Sequence, residues 1–196
     1  MIAAESFLSV RPTGGFNLIM ADPPWLFENY SEKGEEKNAT AHYDCMPLDQ
    51  IKALPVGLLA ARDCLLWLWA TNPMLPHAIE TLTAWGFAFK TAGHWAKTTR
   101  HGKQAFGTGY ILRGAGEPFL IGTIGAPKTT RSTRSVLIAP LPKEHSRKPP
   151  EAFDMAEKLM PGARRLELFS RENRPGWTSW GDEKGKFNSI EGGANA

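Results

Sequence analysis

Cysteine is nearly absent: among 196 residues only Cys45 and Cys64 carry thiols. Two cysteines make neither a disulfide framework nor a cysteine-rich zinc site, and they suit a reducing cytoplasm. Long apolar runs are absent as well. None approaches the roughly 18 residues of a membrane-spanning helix, so no membrane partner is expected. Met1 to Val10 holds Glu5 and no basic cluster, which argues against a secretory signal. No clean G-x-G-x-x-G stands in the chain, so no nucleotide loop is read directly. Net charge is also scarce, at +3, and taken as one number it gives no sign of a polyanionic partner.

What is present changes that picture. Residues 1–89 hold 5 basic and 10 acidic side chains, residues 90–148 hold 11 and 2, and residues 149–196 hold 7 and 8. The middle third therefore carries +9 between an acidic start and a balanced end. A compact basic span is the footprint that a phosphate backbone needs. The bland alternative is a solvated surface that keeps the chain soluble. The length supports one domain with a sizeable core.

Phe16–Ala21 reads as a buried strand between Gly14-Gly15 and Pro23-Pro24. Residues 28–40 are polar, the composition of a lid or binding loop. Leu48, Ile51, Leu54, Leu58 and Leu59 recur at helical spacing, with Pro55 as a break. Cys64–Ala70 is apolar on both faces, as a central strand is. Pro76–Trp85 and Glu151–Met160 read as helices. Phe87–Thr91, His94–Thr98, Tyr110–Arg113, Phe119–Ile124, Val136–Ala139 and Arg164–Phe169 are strand candidates, and the chain from Lys184 reads as a frayed tail. Strands alternating with helices imply an α/β fold with a mostly parallel sheet, and such sheets bind ligands beyond the carboxyl ends of their strands.

At the end of the first strand stands Asp22-Pro23-Pro24-Trp25. By chance this tetrapeptide arises in about one such chain in a few thousand at average composition. Two prolines fix φ and contribute no N–H. The turn therefore offers carbonyls, the Asp22 carboxylate and a flat aromatic face. That set of acceptors suits an exocyclic amino group such as adenine N6. A base inside a duplex reaches such a site only when flipped out. The bland reading is a diproline turn that ends a strand, with Trp25 in the core.

With this signature the chain resembles the adenine-N6 methyltransferase family that includes the catalytic subunit of the eukaryotic mRNA N6-adenosine methyltransferase, together with small bacterial and phage relatives that modify DNA. Further motifs follow in the family's order: His42–Asp49 with Tyr43, Leu66–Asn72, Trp85-Gly86-Phe87, Trp95-Ala96-Lys97, Gly109-Tyr110 with Arg113 and Glu117, His145–Pro149, Leu166–Arg171, and Gly176-Trp177 through Trp180-Gly181 to Glu183. The similarity covers roughly residues 16–183.

The resemblance implies a Rossmann-like fold with permuted motif order, the catalytic turn first and the cofactor strand late. It implies S-adenosylmethionine as methyl donor. Phe169, Ser170, Arg171 and Asn173 are then expected beside the cofactor, Lys148 at its carboxylate, and Asp182 and Glu183 at its ribose. Asp182 stands where many relatives carry Asn. Asp22, Pro23, Pro24 and Trp25 are expected to be catalytic. Tyr43, Lys97, Arg100, Tyr110, Arg113, Glu117, Arg131 and Arg134 are expected to bind substrate, several of them through phosphates.

Residues 1–183 are read as one methyltransferase domain. Within it, 28–47 form the active-site loop and 97–135 the basic substrate region, with 184–196 as tail. No metal is expected. The partner expected is nucleic acid, DNA ahead of RNA, because no separate recognition module is visible. That points to a cytoplasmic bacterial or phage enzyme, and the sequence leaves its oligomeric state open, a homo-oligomer included. A non-catalytic binding subunit is the alternative, against which the intact Asp-Pro-Pro-Trp stands.

Overall fold

The computed structural model describes residues 4–25, 45–109, 111–144, 146–181 and 185. Tyr43, Tyr110, Asp182 and Glu183 lie outside the described residues, as do most of the expected loop 28–47 and of the tail 184–196. The elements are α1 (Ala4–Ser9), β1 (Phe16–Ala21), α2 (Leu48–Ala53), β2 (Ala60–Trp69), α3 (Leu75–Ala84), β3 (Ala88–Thr98), β4 (Gly116–Ile124), β5 (Val136–Pro140), α4 (Pro150–Leu159), β6 (Arg165–Leu168) and β7 (Trp177–Trp180).

The seven strands form one sheet in the order β5-β3-β4-β2-β1-β6-β7. β1 pairs in parallel with β2 and β6, β6 with β7, and β3 with β5. β4 alone runs against its neighbours β2 and β3. The expected mostly parallel α/β sheet is thus a mixed one with a single reversed strand, consistent with a Rossmann-like fold.

Side chains alternate across the strands and divide the core in two. Ile19, Ala21, Leu66 and Leu68 pack with Phe7 of α1, Ile51 of α2, and Ala78 and Leu82 of α3. Leu18, Met20, Leu65, Trp67 and Trp69 pack with Ala152, Phe153 and Ala156 of α4 on the other face. Helices therefore cover both faces, which is why β1 after Asn17 and β2 from Cys64 onward are apolar. α2 stops at Ala53, two residues before Pro55, and a 3-10 turn, Val56–Leu59, follows. α3 starts with a proline in its first turn and ends before Gly86, which takes φ +84°.

Two strand expectations are corrected. Phe87–Thr91 and His94–Thr98 are one strand, because Gly93 continues it: a Cβ there would lie 2.1 Å from the Phe119 ring. Ile111–Arg113 is not a strand, and Ile111 and Leu112 are exposed.

Candidate active site

Six strands point the same way, and their carboxyl ends share one edge. β4 runs the other way, so its amino end, Gly116-Glu117, joins that edge. Asp22 is the first residue beyond β1, and Phe169 is the first beyond the adjacent β6, with Ala21 and Leu168 in register. The Asp22–Trp25 turn and the Phe169–Arg171 segment expected beside the cofactor are therefore neighbours.

At the Asp22–Trp25 turn the Trp25 N–H donates to the Pro23 carbonyl at 2.8 Å, and the Met46 N–H donates to the Pro24 carbonyl at 3.0 Å. Each carbonyl keeps a second lone pair. Trp25 is buried in the core, and its indole N–H donates to the Trp69 carbonyl at 3.2 Å. Trp25 thus fixes the turn from behind, as the bland reading had it. Its ring is not an open stacking platform.

A half-open cleft enclosing about 420 Å³, its mouth included, runs from Asp22 to Phe169. Met20, Trp69 and Phe153 form its apolar wall, and Asp22, Arg147, Lys148, Glu167, Arg171 and Glu172 bring charges of both signs. Ser146 and Phe169 also line it, and both hold positive φ, at 61° and 62°. Non-glycine residues in that region cost energy and cluster at functional sites. Beyond β7, Gly181 comes so close to the β6 end that a Cβ would meet the Ser170 carbonyl oxygen at 2.5 Å.

Four charges form a chain at the cleft floor. Lys148 is 8% exposed, and its Nζ donates to Asp22 Oδ2 at 2.6 Å and lies 3.0 Å from Glu117 Oε1. Lys97 donates to Glu117 Oε2 at 2.8 Å, with its ammonium 4.6 Å from the Trp95 ring centre. Burial opposes the Lys148 ammonium, but Asp22 and Glu117 outweigh it and push its pKa up. Burial also opposes ionised Glu117, yet Lys148 and Lys97 hold its carboxyl below the ordinary value. For Asp22 burial dominates: its carboxyl lies above the ordinary value, with Lys148 pulling against the rise. A second cluster joins Glu172 to Arg147 and Arg174, and the Arg174 guanidinium sits 3.8 Å from the Phe153 ring centre.

The structure brings Asp22, Lys148, Phe169 and Arg171 to one cleft. Ser170 is buried beneath it, and Asn173 is exposed. Glu117 and Lys97 belong to the ion-pair chain, so Lys97 is tied to a carboxylate and turned inward. Arg100, Arg113, Arg131 and Arg134 are exposed, as are Lys103 and Lys128. Arg113 rests 5.5 Å from the Phe106 ring centre. Trp69, Arg147, Phe153, Glu167 and Glu172 line the cleft without having been singled out. The available signal was weak: Glu167 is a carboxylate inside a four-residue strand. No group of His, Cys, Asp and Glu able to hold a metal is present among the described residues. No helix among them is long and apolar enough to cross a membrane.

The MT-A70 family model matches residues 16–183. The chain is 32% identical over 191 residues to mouse "N(6)-adenine-specific methyltransferase METTL4", covering 90% of this chain and 39% of that protein. It is 30% identical over 190 residues to "Type II methyltransferase M.MunI" of Mycoplasma sp, covering 88% of this chain and 79% of that protein. It is 29% identical over 182 residues to zebrafish (Danio rerio) "N(6)-adenosine-methyltransferase subunit METTL3", covering 90% of this chain and 29% of that protein. The chain thus spans about two fifths of METTL4 and less of METTL3.

Proposed function

This chain belongs to the MT-A70 family of adenine-N6 methyltransferases, and we propose from that premise that it methylates the N6 amino group of adenine in DNA with S-adenosylmethionine as donor. The observation that carries this reading is the meeting of the Asp22-Pro23-Pro24 turn and the Phe169–Arg171 turn at one cleft. The charges lining it fit the donor, since Lys148, Arg147 and Arg171 suit a carboxylate and Phe169 and Phe153 suit apolar parts. When bound, S-adenosylmethionine supplies an electrophilic methyl group on a sulfonium.

The chain's own residues do the rest. Lys148 holds Asp22 through Oδ2, which leaves Oδ1 to accept one N–H of the adenine amino group. The second lone pair of the Pro23 carbonyl accepts the other. Holding both N–H bonds draws the nitrogen toward tetrahedral geometry and frees its lone pair for in-line attack. After transfer the nitrogen sheds a proton, and Asp22, with a raised pKa, is placed to receive it. Positioning and exclusion of water provide most of the acceleration. Arg100, Lys103 and Arg113, exposed on the β3–β4 connection that emerges at the cleft edge, take the phosphates, whereas Lys128, Arg131 and Arg134 lie on the segment at the opposite edge.

The extent of the match to M.MunI, a type II methyltransferase covered over 79% of its length, supports DNA. RNA is the second reading, favoured by the match to "N6-methyladenosine RNA methyltransferase MTA1" of Cryphonectria parasitica at 30% identity. The test is incubation with labelled S-adenosylmethionine and unmethylated DNA or RNA, then digestion for N6-methyladenine. Asp22→Ala should abolish transfer and leave donor binding nearly intact. Wild-type turnover by that variant would defeat the mechanism. Label in neither polymer, with the donor still bound, favours a non-catalytic subunit.

A further inference from the structure

Phe106, Ile111 and Leu112 cluster on the β3–β4 connection, residues 99–115, at 81%, 95% and 82% exposure. Apolar side chains gathered in water in this way mark an interaction surface. The connection that carries them is braced. At its neck the Ala105 N–H donates to the Lys97 carbonyl at 2.9 Å, the Gly107 N–H to the Gly114 carbonyl at 2.8 Å and the Gly114 N–H to the Thr108 carbonyl at 3.1 Å. A Cβ on Gly107 would lie 2.8 Å from the Gly114 carbonyl oxygen, and one on Gly114 would lie 2.7 Å from that of Thr108. The two arms of the neck therefore pack backbone on backbone. Ala105 is buried and anchors them, while Ile111 and Leu112 are held outward at the tip.

Charge and position identify what the tip meets. The connection carries Arg100, Lys103 and Arg113, all exposed, and no carboxylate, which suits a polyanion. Its root is closed by the Lys97–Glu117 ion pair at 2.8 Å, and Glu117 is tied through Lys148 to Asp22. β4 lies two strands from β1 in the sheet, so the connection rises about 10 Å from the Asp22 turn.

The chemistry of the tip distinguishes the forms of polyanion. Single strands are held by stacking on aromatic faces. The most exposed side chains described in the tip are aliphatic, and Arg113 takes one face of the Phe106 ring. Aliphatic side chains on a basic support instead wedge between the base steps of a duplex. An adenine inside a duplex must leave the stack to reach Asp22, and it leaves a gap behind. We propose that the Ile111-Leu112 tip enters the duplex at the target base pair and fills that gap, so that the substrate is double-stranded DNA. This rests on the methyl-transfer reading and adds to it the strandedness of the substrate and the residues that open it.

The test compares the full chain with its Ile111→Ser/Leu112→Ser variant, using labelled S-adenosylmethionine and three forms of one unmethylated DNA. These are a circular single strand, the same circle copied into a duplex, and that duplex copied with sparse deoxyuridine and freed of uracil, so that some adenines face abasic sites. Wild type should label the matched duplex. The variant should lose roughly 10- to 100-fold in kcat/KM on it and recover most of that loss on the abasic form, where no pairing opposes flipping. Its melting temperature should match wild type, since both side chains are in water. By fluorescence anisotropy it should keep the wild-type slope of log affinity against log salt, because no phosphate contact is removed. The proposal is overturned if the variant labels the matched duplex as wild type does, if it loses equally on all three forms, or if wild type labels only the single strand. It is equally overturned if light scattering shows wild type to be a dimer that the variant dissociates, which makes the tip a protein interface. No label in any form of DNA removes the DNA methyl-transfer reading itself, a distinguishable result.

Discussion

Lys148→Met isolates the buried charge chain. The methionine fills a similar volume, so the packing against Trp69, 5.5 Å from the ammonium, is largely kept. The charge is not. Asp22 and Glu117, each within 3.0 Å of the ammonium, are left facing one another, with Lys97 on the far side of Glu117 and Arg171 the remaining cation acting on Asp22. Removing one partner of a buried pair costs about 3–5 kcal/mol. Two carboxylates on one cation place this case at the upper part of that range, less a discount because Asp22 is 31% exposed.

The cost should depend on pH. Without Lys148 the carboxylate pair holds a proton more tightly folded than unfolded. An acid with a raised folded-state pKa destabilises increasingly as pH rises from its unfolded value, about 4. The deficit relative to wild type should thus be small near pH 4.5 and approach its full size by pH 8. Urea unfolding at both pH values measures it. Glu117→Gln in the Lys148→Met background removes one of the two charges and should recover about half of the loss at pH 8. A deficit under about 1 kcal/mol, or one equal at both pH values, refutes the account of the site as a neutralised charge chain.

Arg100→Ala and Arg113→Ala should each weaken binding to DNA about equally across sequences and reduce the slope of log affinity against log salt by about one, as measured by fluorescence anisotropy. Gly181→Ala should destabilise the β6–β7 edge by about 1–3 kcal/mol, because its Cβ would meet the Ser170 carbonyl oxygen at 2.5 Å. It should also lower donor affinity, read by calorimetric titration with S-adenosylhomocysteine. A fully stable Gly181→Ala variant with unchanged affinity would separate the β7 turn from the cleft.

Much of the scaffold was legible where local pattern and burial agree. β1 has the bounds its apolar run and flanking glycines and prolines dictate, and β2 is central because it is apolar on both faces. Legibility failed where a distant partner decides. Gly93 punctuates the sequence, but Phe119 covers it and the strand runs on. The apolar pair Ile111-Leu112 reads as strand, yet no neighbouring strand meets it, and these side chains are 95% and 82% exposed. Trp177–Trp180 carries no strand period of its own and is one through pairing with β6. At the site, Asp22 and Lys148 were visible as residues. Their contact, across 126 positions of sequence, was not.

The reversed strand accounts for the charge distribution that composition alone had hidden. If β4 ran with its neighbours, Glu117 would sit at the far edge of the sheet, away from Lys148. Reversal brings its amino end to the cleft and makes the β3–β4 connection, residues 99–115, emerge at that same edge. This connection carries Arg100, Lys103 and Arg113 and not one carboxylate. The segment leading into β5, residues 125–135, carries Lys128, Arg131 and Arg134 and no carboxylate, but it joins the carboxyl end of the reversed β4 to the amino end of β5 and so lies at the opposite edge. The only acids of the basic span are Glu117 and Glu144. Both are consumed internally, Glu117 by Lys148 and Lys97 and Glu144 by Arg147. The positive balance of residues 90–148 therefore reaches solvent almost undiluted. The exposed cations of residues 99–115 thus stand beside the cleft, where the proposed polyanionic substrate would meet them.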